Sequence, residues 1–253
     1  MSKHYPIGTT VWQELRVASD SGLAAFYRAV LDWELELEGD RGRFRAADGE
    51  VVAGLQLVED LAPDAAGWIA FLGAGDLAAD VQRAVEAGAT VMEEGVRLAV
   101  PGDAVLLHDP FGAVFGIAEL PAGSGTVPSG ALGHLSMVDP TNHDLAAQIE
   151  FQLALFPGAA VEALDHGIHF VRDAAGNVLR GAYEVAPEAR AFLPPHWLPW
   201  FNVVDQGAAV EAAAVSGGRI NTRDNELSFG IWGVVVDPAG GEFKALQLSR
   251  DEL

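Results

Sequence analysis

The chain switches between two hydrophobic periods, and the switch recurs four times. "TTVWQELRVA" alternates apolar and polar positions with period two, which predicts a strand. In "SDSGLAAFYRAVLDW" the residues Leu23, Phe26, Tyr27, Val30 and Leu31 fall on one helical stripe, with Ser19 and Asp20 as candidate caps. Three strand candidates follow, "WELELE", "GRFRAA" and "VVAGLQLV", with "DRG" and "DGE" as turns. The pattern restarts at "GWIAFLGAGD". Asp76 is placed to cap a helix with Leu77, Val81, Ala84 and Val85 on one face, and Gly88 to end it. "TVMEE", "AVLLHD" and "AVFGIAE" then read as strands.

The second half repeats this less regularly. "ALGHLSMV" reads as a strand, and Asn142 as the cap of a helix with Leu145, Ile149, Leu153 and Phe156 on one face. "GIHFVRD" and "VLRGAYEV" are strands. "LPWFNVV", a glycine-ended helix "QGAAVEAAAVSGG", and the strands "LSFGIWGVVV" and "EFKALQLS" complete the series. A unit seen four times outweighs any single propensity. The prediction is an α+β chain of four βαβββ modules, paired into two tandem domains with curled, cup-shaped mixed sheets. "AGSGTVPSG" carries neither period and reads as a linker over 122–130, between domains at 1–121 and 131–253.

Composition narrows the chemistry. Half of the 253 residues are hydrophobic and a fifth are charged, enough to bury a substantial core. Acidic residues outnumber basic ones 36 to 15, for a net charge of −21. Such a surface repels phosphate backbones and anionic lipid, so neither nucleic acid nor membrane is an expected partner. The absence of cysteine excludes disulfides, thiolate metal sites and a cysteine nucleophile. "MSKHYPIGTTVWQEL" lacks the apolar run of a secretory signal, and no stretch is long enough to span a bilayer, so the expected location is the cytoplasm. The terminal "RDEL" resembles a retention tail but, without an entry signal, reads as chance.

"WQELRVASDSGLAAFYRAVLDWELE", "AGATVMEE", "DPFGAVFGIAE", "SGGRINT" and "DPAGGEFKALQ", in that order, resemble the vicinal oxygen chelate superfamily. That superfamily includes glyoxalase I, bleomycin-resistance proteins and extradiol dioxygenases. The chain is most similar to the subgroup with two such domains fused. The resemblance implies that paired modules enclose a cavity. There a divalent metal, held by His, Gln or Glu, chelates vicinal oxygens of a substrate. The two Asp-Pro-x-Gly stretches, at Asp109 and Asp237, read as turns, since Pro suits the second turn position and Gly the geometry that follows.

By this resemblance the metal-ligand positions of the first half fall at Trp12, near Gly54, at or beside Ile69, and at Gly116. Those of the second half include His134, Leu198 and Lys244. Trp, Ile and Gly cannot ligate a metal, and a lysine ammonium repels one. Strand alternation puts Glu14 and Arg16 on the face of Trp12, so Glu14, with Gln56, is available for recruitment. A nonstandard set would draw on His134 with His166 or His169.

The reading adopted is a small-molecule-binding protein without the family metal, its ligand apolar or aromatic. The expected contacts are Trp12, Glu14, Phe71, His134, Ser136, Trp200 and Lys244. No catalytic residue and no cofactor is assigned, and a homodimer is allowed. Trp68 and Trp197 are placed at the rim, and Phe26 and Trp33 in the core, where Phe71 also fits. Two alternatives stand beside this reading. One is a glyoxalase-like lyase or dioxygenase with a nonstandard divalent-metal site. The other is an interaction protein whose cups are filled.

Overall fold

A computed structural model describes residues 5–61, 66–164, 168–191 and 193–249 of the protein. Among these residues the first half forms β1 (Thr10–Val17), α1 (Leu23–Leu31), β2 (Glu34–Glu38), β3 (Arg41–Arg45) and β4 (Val51–Leu57). It continues as β5 (Gly67–Gly73), α2 (Leu77–Glu86), β6 (Thr90–Glu94), β7 (Asp103–His108) and β8 (Val114–Glu119). The second half forms β9 (Leu135–Asn142), α3 (Leu145–Leu155), β10 (Ala160–Ala163), β11 (His169–Arg172) and β12 (Val178–Glu184). It ends with β13 (His196–Asn202), α4 (Gln206–Val215), β14 (Arg219–Leu227), β15 (Gly230–Val236) and β16 (Glu242–Leu248).

The strands make two open, mixed, eight-stranded sheets, ordered β2-β3-β4-β1-β5-β8-β7-β6 and β10-β11-β12-β9-β13-β16-β15-β14. In every module the first strand pairs in parallel with the last, and the remaining strands join as antiparallel hairpins. The helix after the first strand supplies the crossover that a parallel pair needs.

By contacts the chain resolves into two compact units. The first comprises 1–11, 70–125 and 137–198, the second 12–69, 126–136 and 199–253. The core of the first unit holds Phe115 stacked on Trp197 at 5.1 Å between centroids, with Phe151 edge-on to Phe115. The core of the second is a larger aromatic cluster of Phe26, Tyr27, Trp33, Phe44, Trp68, Phe201 and Phe243. Trp68 and Trp197 therefore lie in the cores and not at a rim, both buried. Each indole N–H finds a partner there, as buried tryptophans require.

The helix N-caps differ from the sequence reading in two of the three helices for which it names one. α1 begins at Gly22, in a left-handed conformation with φ 82° and no side-chain cap, so neither Ser19 nor Asp20 caps it through its side chain. Asp20 instead offers its carbonyl to the N–H of Leu23. α2 starts as expected, with Asp76 accepting from the Ala79 N–H at 3.0 Å, and Gly88 follows it at φ 102°. Its buried residues are Asp80 and Ala84, while Val85 is 39% exposed. Asp144, not Asn142, caps α3, accepting from Ala147 N–H at 3.0 Å. The buried face of α3 is Gln148, Phe151, Gln152 and Leu155, and Leu153 is exposed. The phase differs because two glutamines point inward and break the apolar stripe.

Both Asp-Pro-x-Gly segments are side-chain-anchored turns. Asp109 Oδ1 accepts from the N–H groups of Phe111 and Ala113 at 3.0 and 2.9 Å. Asp237 Oδ1 accepts from Ala239 and Gly241, both at 2.8 Å. Turn-forming carboxylates of this kind replace backbone partners lost at the reversal.

Candidate functional site

Strand register decides which side chains occupy the family's ligand positions. Glu14 pairs with Gly54, and Gly54 with Arg43, so these three share one sheet face. Phe71 pairs with Gly116, and Trp200 with Lys244. On β9, Thr141 pairs with Tyr183. Running that register back two residues sets Asp139 beside Gly181, whose N–H donates to Asp139 Oδ1 at 3.1 Å. Gly181 is the fourth residue of β12, as Gly54 is of β4. Asp139 thus stands where Glu14 stands in the first half, and Met137 where Trp12 stands.

This corrects the placement of His134. Counted on the register, it precedes β9 and falls on the opposite strand parity from Met137 and Asp139, as does Ser136. The backbone of His134 is tied to Asn202, whose N–H donates to His134 O at 3.0 Å. Its Nε2 lies 2.8 Å from Asp48 Oδ2, an exposed carboxylate. The Asp48 carboxyl is held below its usual range, chiefly by accepting the Glu50 N–H and also by His134. Ser136 is half-buried. His166 lies outside the described residues, and so does the "RDEL" tail.

By the resemblance, carried through this register, the positions matching the metal ligands would be Trp12, Gly54, Ile69 and Gly116 in one half, and Met137, Gly181, Leu198 and Lys244 in the other. Seven offer at best a thioether, and the eighth carries an ammonium. Among the described residues no three His, Cys, Asp or Glu side chains gather in a way that could hold a metal ion. This donor set does not fit the family's hard-cation centre.

Other chemistry occupies these faces. In the second unit Trp12 is fully buried and its indole donates to Glu14 Oε2 at 2.9 Å. Glu14, 1% exposed, also lies 3.9 Å from the Arg41 guanidinium. Arg41, Gln56 and Arg16 form one cross-strand row, and Arg43, Gly54 and Glu14 the next. Three of the chain's 15 basic residues thus share this face with one buried carboxylate. A charge at such a site is tolerated only with partners close by.

The same unit holds a second polar position. Lys244 on β16 is 1% exposed, and its Nζ lies 4.0 Å from the Trp200 ring and 4.6 Å from the Trp232 ring. The two indoles are 5.2 Å apart, and Phe229 stands 6.3 Å from Trp200. A cation between aromatic faces is attracted by their quadrupoles, which offsets part of its lost hydration. Trp232 and Phe229 carry no signal in the sequence pattern, since the hairpin β14–β15 that brings them in is bulged at two places.

In the first unit the ligand position on β8 is empty of side chain because the Phe71 ring fills it. A Cβ on Gly116 would overlap that ring. Asp139, buried, shares its face with Thr141, whose hydroxyl lies 3.1 Å from Tyr183 OH. The sequence pattern hides Asp139 because a count that starts the strand at His134 is three residues out of phase with the register on β9. Aligning "VLRGAYE" with "VVAGLQL" by their shared glycine would have found it.

Arg180 was also missed. It is 1% exposed, donates to Gly8 O at 2.6 Å, and lies over the rings of Phe156 and Trp197 at 4.4 and 5.6 Å. Burial pushes its guanidinium down to about 9. Trp197 in turn donates to Asp109 Oδ2 at 3.1 Å, and burial pushes that carboxyl up. A buried carboxylate and a buried guanidinium therefore share one indole. In the second unit the matching Asp237 accepts from Tyr27 OH at 2.7 Å, and Trp68 donates to Tyr27 OH at 3.1 Å.

Residues 14–118 match the family model of the glyoxalase-like domain. The mycobacterial protein named "Putative glyoxylase CFP32", from Mycobacterium bovis, is 27% identical over 258 aligned residues, covering 96% of each chain. Among solved structures, the Mn(II)-bound glyoxalase from Novosphingobium aromaticivorans superposes with a TM-score of 0.61 at 17% identity, covering 98% of this chain and 83% of that one. An extradiol ring-cleaving dioxygenase from B. fuscum gives 0.65 at 13% identity, covering 100% and 76%. With its four βαβββ modules in two open sheets, a glyoxalase-like domain in its first half and these relatives along its length, the chain has the two-domain fold of the vicinal oxygen chelate superfamily.

Proposed function

We propose that this protein binds a small molecule on the concave faces of its sheets without the metal ion of its metal-bound relatives. The observation that carries the reading is the occupancy of the eight ligand positions by Trp12, Gly54, Ile69, Gly116, Met137, Gly181, Leu198 and Lys244. No carboxylate or imidazole remains among them. Trp12 and Glu14 on one face, and Trp200 and Lys244 on another, are the side chains proposed to meet the ligand. Aromatic walls with a few convergent polar groups are the usual form of such a site. Phe71 contributes by filling space, and His134 and Ser136 are not assigned a contact.

The test is ligand-detected NMR with a panel of small aromatic compounds, on protein as purified and after EDTA treatment. The expected result is binding unchanged by EDTA. Binding that is lost on chelation and restored by Mn(II), Fe(II), Ni(II) or Zn(II) would overturn the reading. A second reading, a glyoxalase-like lyase or dioxygenase with a nonstandard metal set, draws on the end-to-end likeness to CFP32. That reading needs ligands from outside the eight positions.

A further inference from the structure

We infer that two adjoining hollows at the end of β13 bind a neutral aliphatic molecule through a hydroxyl group, which donates to the side-chain carbonyl of Asn202. Both hollows lie within the second unit. None of Trp12, Glu14, Trp200 and Lys244 lines them, so the site is separate from the faces proposed above. One has a volume of about 250 Å³ and the other about 430 Å³, and Leu132, Asn202, Val203 and Val204 line both. Leu248 adds to the wall of the smaller, and Val30 and Leu31 of α1 to that of the larger. Apolar walls around a few polar groups are the usual form of a small-molecule site.

Asn202 is the last residue of β13 and is 1% exposed. Its Nδ2 donates to two main-chain carbonyls, Ser129 O at 2.7 Å and Ala131 O at 3.1 Å. A carbonyl can only accept, so these bonds fix which arm of the amide is the nitrogen. Two backbone bonds hold the same segment to the strand end, Gly133 N–H to Asn202 O at 2.8 Å and Asn202 N–H to His134 O at 3.0 Å. The other arm of the amide, Oδ1, is buried and has no hydrogen-bond partner among the described residues. A buried acceptor left unmade is costly, and native proteins rarely leave one without a reason.

The remaining polar side chains of the hollows are occupied or wetted. Gln247 Oε1 accepts from Gln206 N–H at 3.0 Å, and Asp205 Oδ1 caps α4 by accepting from Ala208 N–H at 2.9 Å. Asp32 lies 3.3 Å from the Arg28 guanidinium, with both side chains exposed. Asn202 Oδ1 is therefore the buried side-chain acceptor left for a ligand. A hydroxyl brings the one donor that it needs. An ammonium brings three donors, and a carboxylate brings none and meets Asp32 and Asp205 as like charges. The rest of the ligand is set by the aliphatic wall. Leu132 is 51% exposed and Val204 74%, and a bound alkyl chain would cover both.

The experiment titrates 1-hexanol and its isomer 1-methoxypentane, which lacks the donor, into isotope-labelled full-length protein. NMR follows the Asn202 side-chain amide and the Leu132 and Val204 methyl groups. Both probes are expected to shift the methyl signals, the alcohol binding about threefold or more tighter than the ether. Replacing both exposed residues, Leu132→Ser with Val204→Ser, is expected to weaken both probes several-fold and keep the alcohol preference. Asn202→Ala is expected to abolish the preference. That variant also loses the bonds to Ser129 and Ala131, so its melting temperature is measured first. If it does not fold, the alcohol–ether comparison in wild type and in the serine variant decides. Equal binding of alcohol and ether by wild type, no shift with either, or binding unmoved by the serine variant would overturn the inference. So would a dimer in gel filtration that the serine variant abolishes, because it assigns the hollows to a second copy of the chain.

Discussion

Single residues explain why two near-copies of one turn are not interchangeable. Asp109 and Asp237 make the same two backbone bonds, but their outer oxygens face different donors. Asp109 Oδ2 faces the N–H of Trp197, which can only donate. Asp237 Oδ2 faces the Tyr27 hydroxyl, which can also accept. Asp109→Asn turns an amide NH₂ toward an indole N–H and is expected to cost about 1–3 kcal/mol in urea unfolding. Asp237→Asn is expected to cost less, since the hydroxyl can reorient. An equal loss in both would contradict this account.

Arg180 gives a pH prediction at the same scale. Its folded pKa is depressed by burial to about 9, so the unfolded chain holds the proton more tightly. The penalty for burying its charge is fully present below the folded value and is relieved as pH rises through it toward the unfolded value. Arg180→Met should be at least as stable as wild type at neutral pH, because an unpaired buried charge often costs more than it returns. Wild type should then gain on the variant between about pH 8 and about pH 10.5, measured by denaturant midpoints. A constant difference across that window would contradict the assignment.

At the scale of elements, close packing stands where a ligand position would be. Gly116→Ala is expected to destabilise by about 1–3 kcal/mol, because the new methyl overlaps the Phe71 ring. Added to a Phe71→Ala background, the same change should cost far less, and a double-mutant cycle reads the difference. On α3, Gln152 is fully buried and neither amide atom has a partner. Gln152→Met removes that desolvation without opening a cavity and should stabilise by about 1 kcal/mol, while Leu153→Ser stays within about 0.5 kcal/mol.

These elements also show what the sequence reveals and what it hides. The period-two and period-3.6 stretches, the Asp76 cap and both Asp-Pro-x-Gly turns are local signals, and each could be read from neighbours a few residues away. The phase of α3 could not, because Gln148 and Gln152 lie inward where the pattern expects leucine. The register of β9 was hidden as well. That strand runs on through Pro140 to Asn142, so counting from its apolar start misplaced His134 and Ser136 and overlooked Asp139. β10, with only Val161 apolar between two alanines and a glutamate, gave no strand signal at all. The Lys244 position was legible from its spacing to Asp237, but not the Trp232 that completes its cage.

Across the whole molecule, the fold is duplicated while the chemistry on its faces has diverged. One ligand position in the last strand of each half became Gly116 under Phe71, and the other became Lys244 between two indoles. The surface is acidic, yet arginines collect on the face of β1, β3 and β4. Among the described residues no helix is long and apolar enough to cross a membrane.

The most direct measurement is the metal content of protein purified without an affinity tag, with Mn, Fe, Ni and Zn determined together by elemental analysis. The account predicts each of them far below one ion per chain, even after incubation with excess metal and gel filtration. One tightly held ion per chain, lost when Glu14 or Asp139 is replaced by alanine in a folded variant, would contradict it.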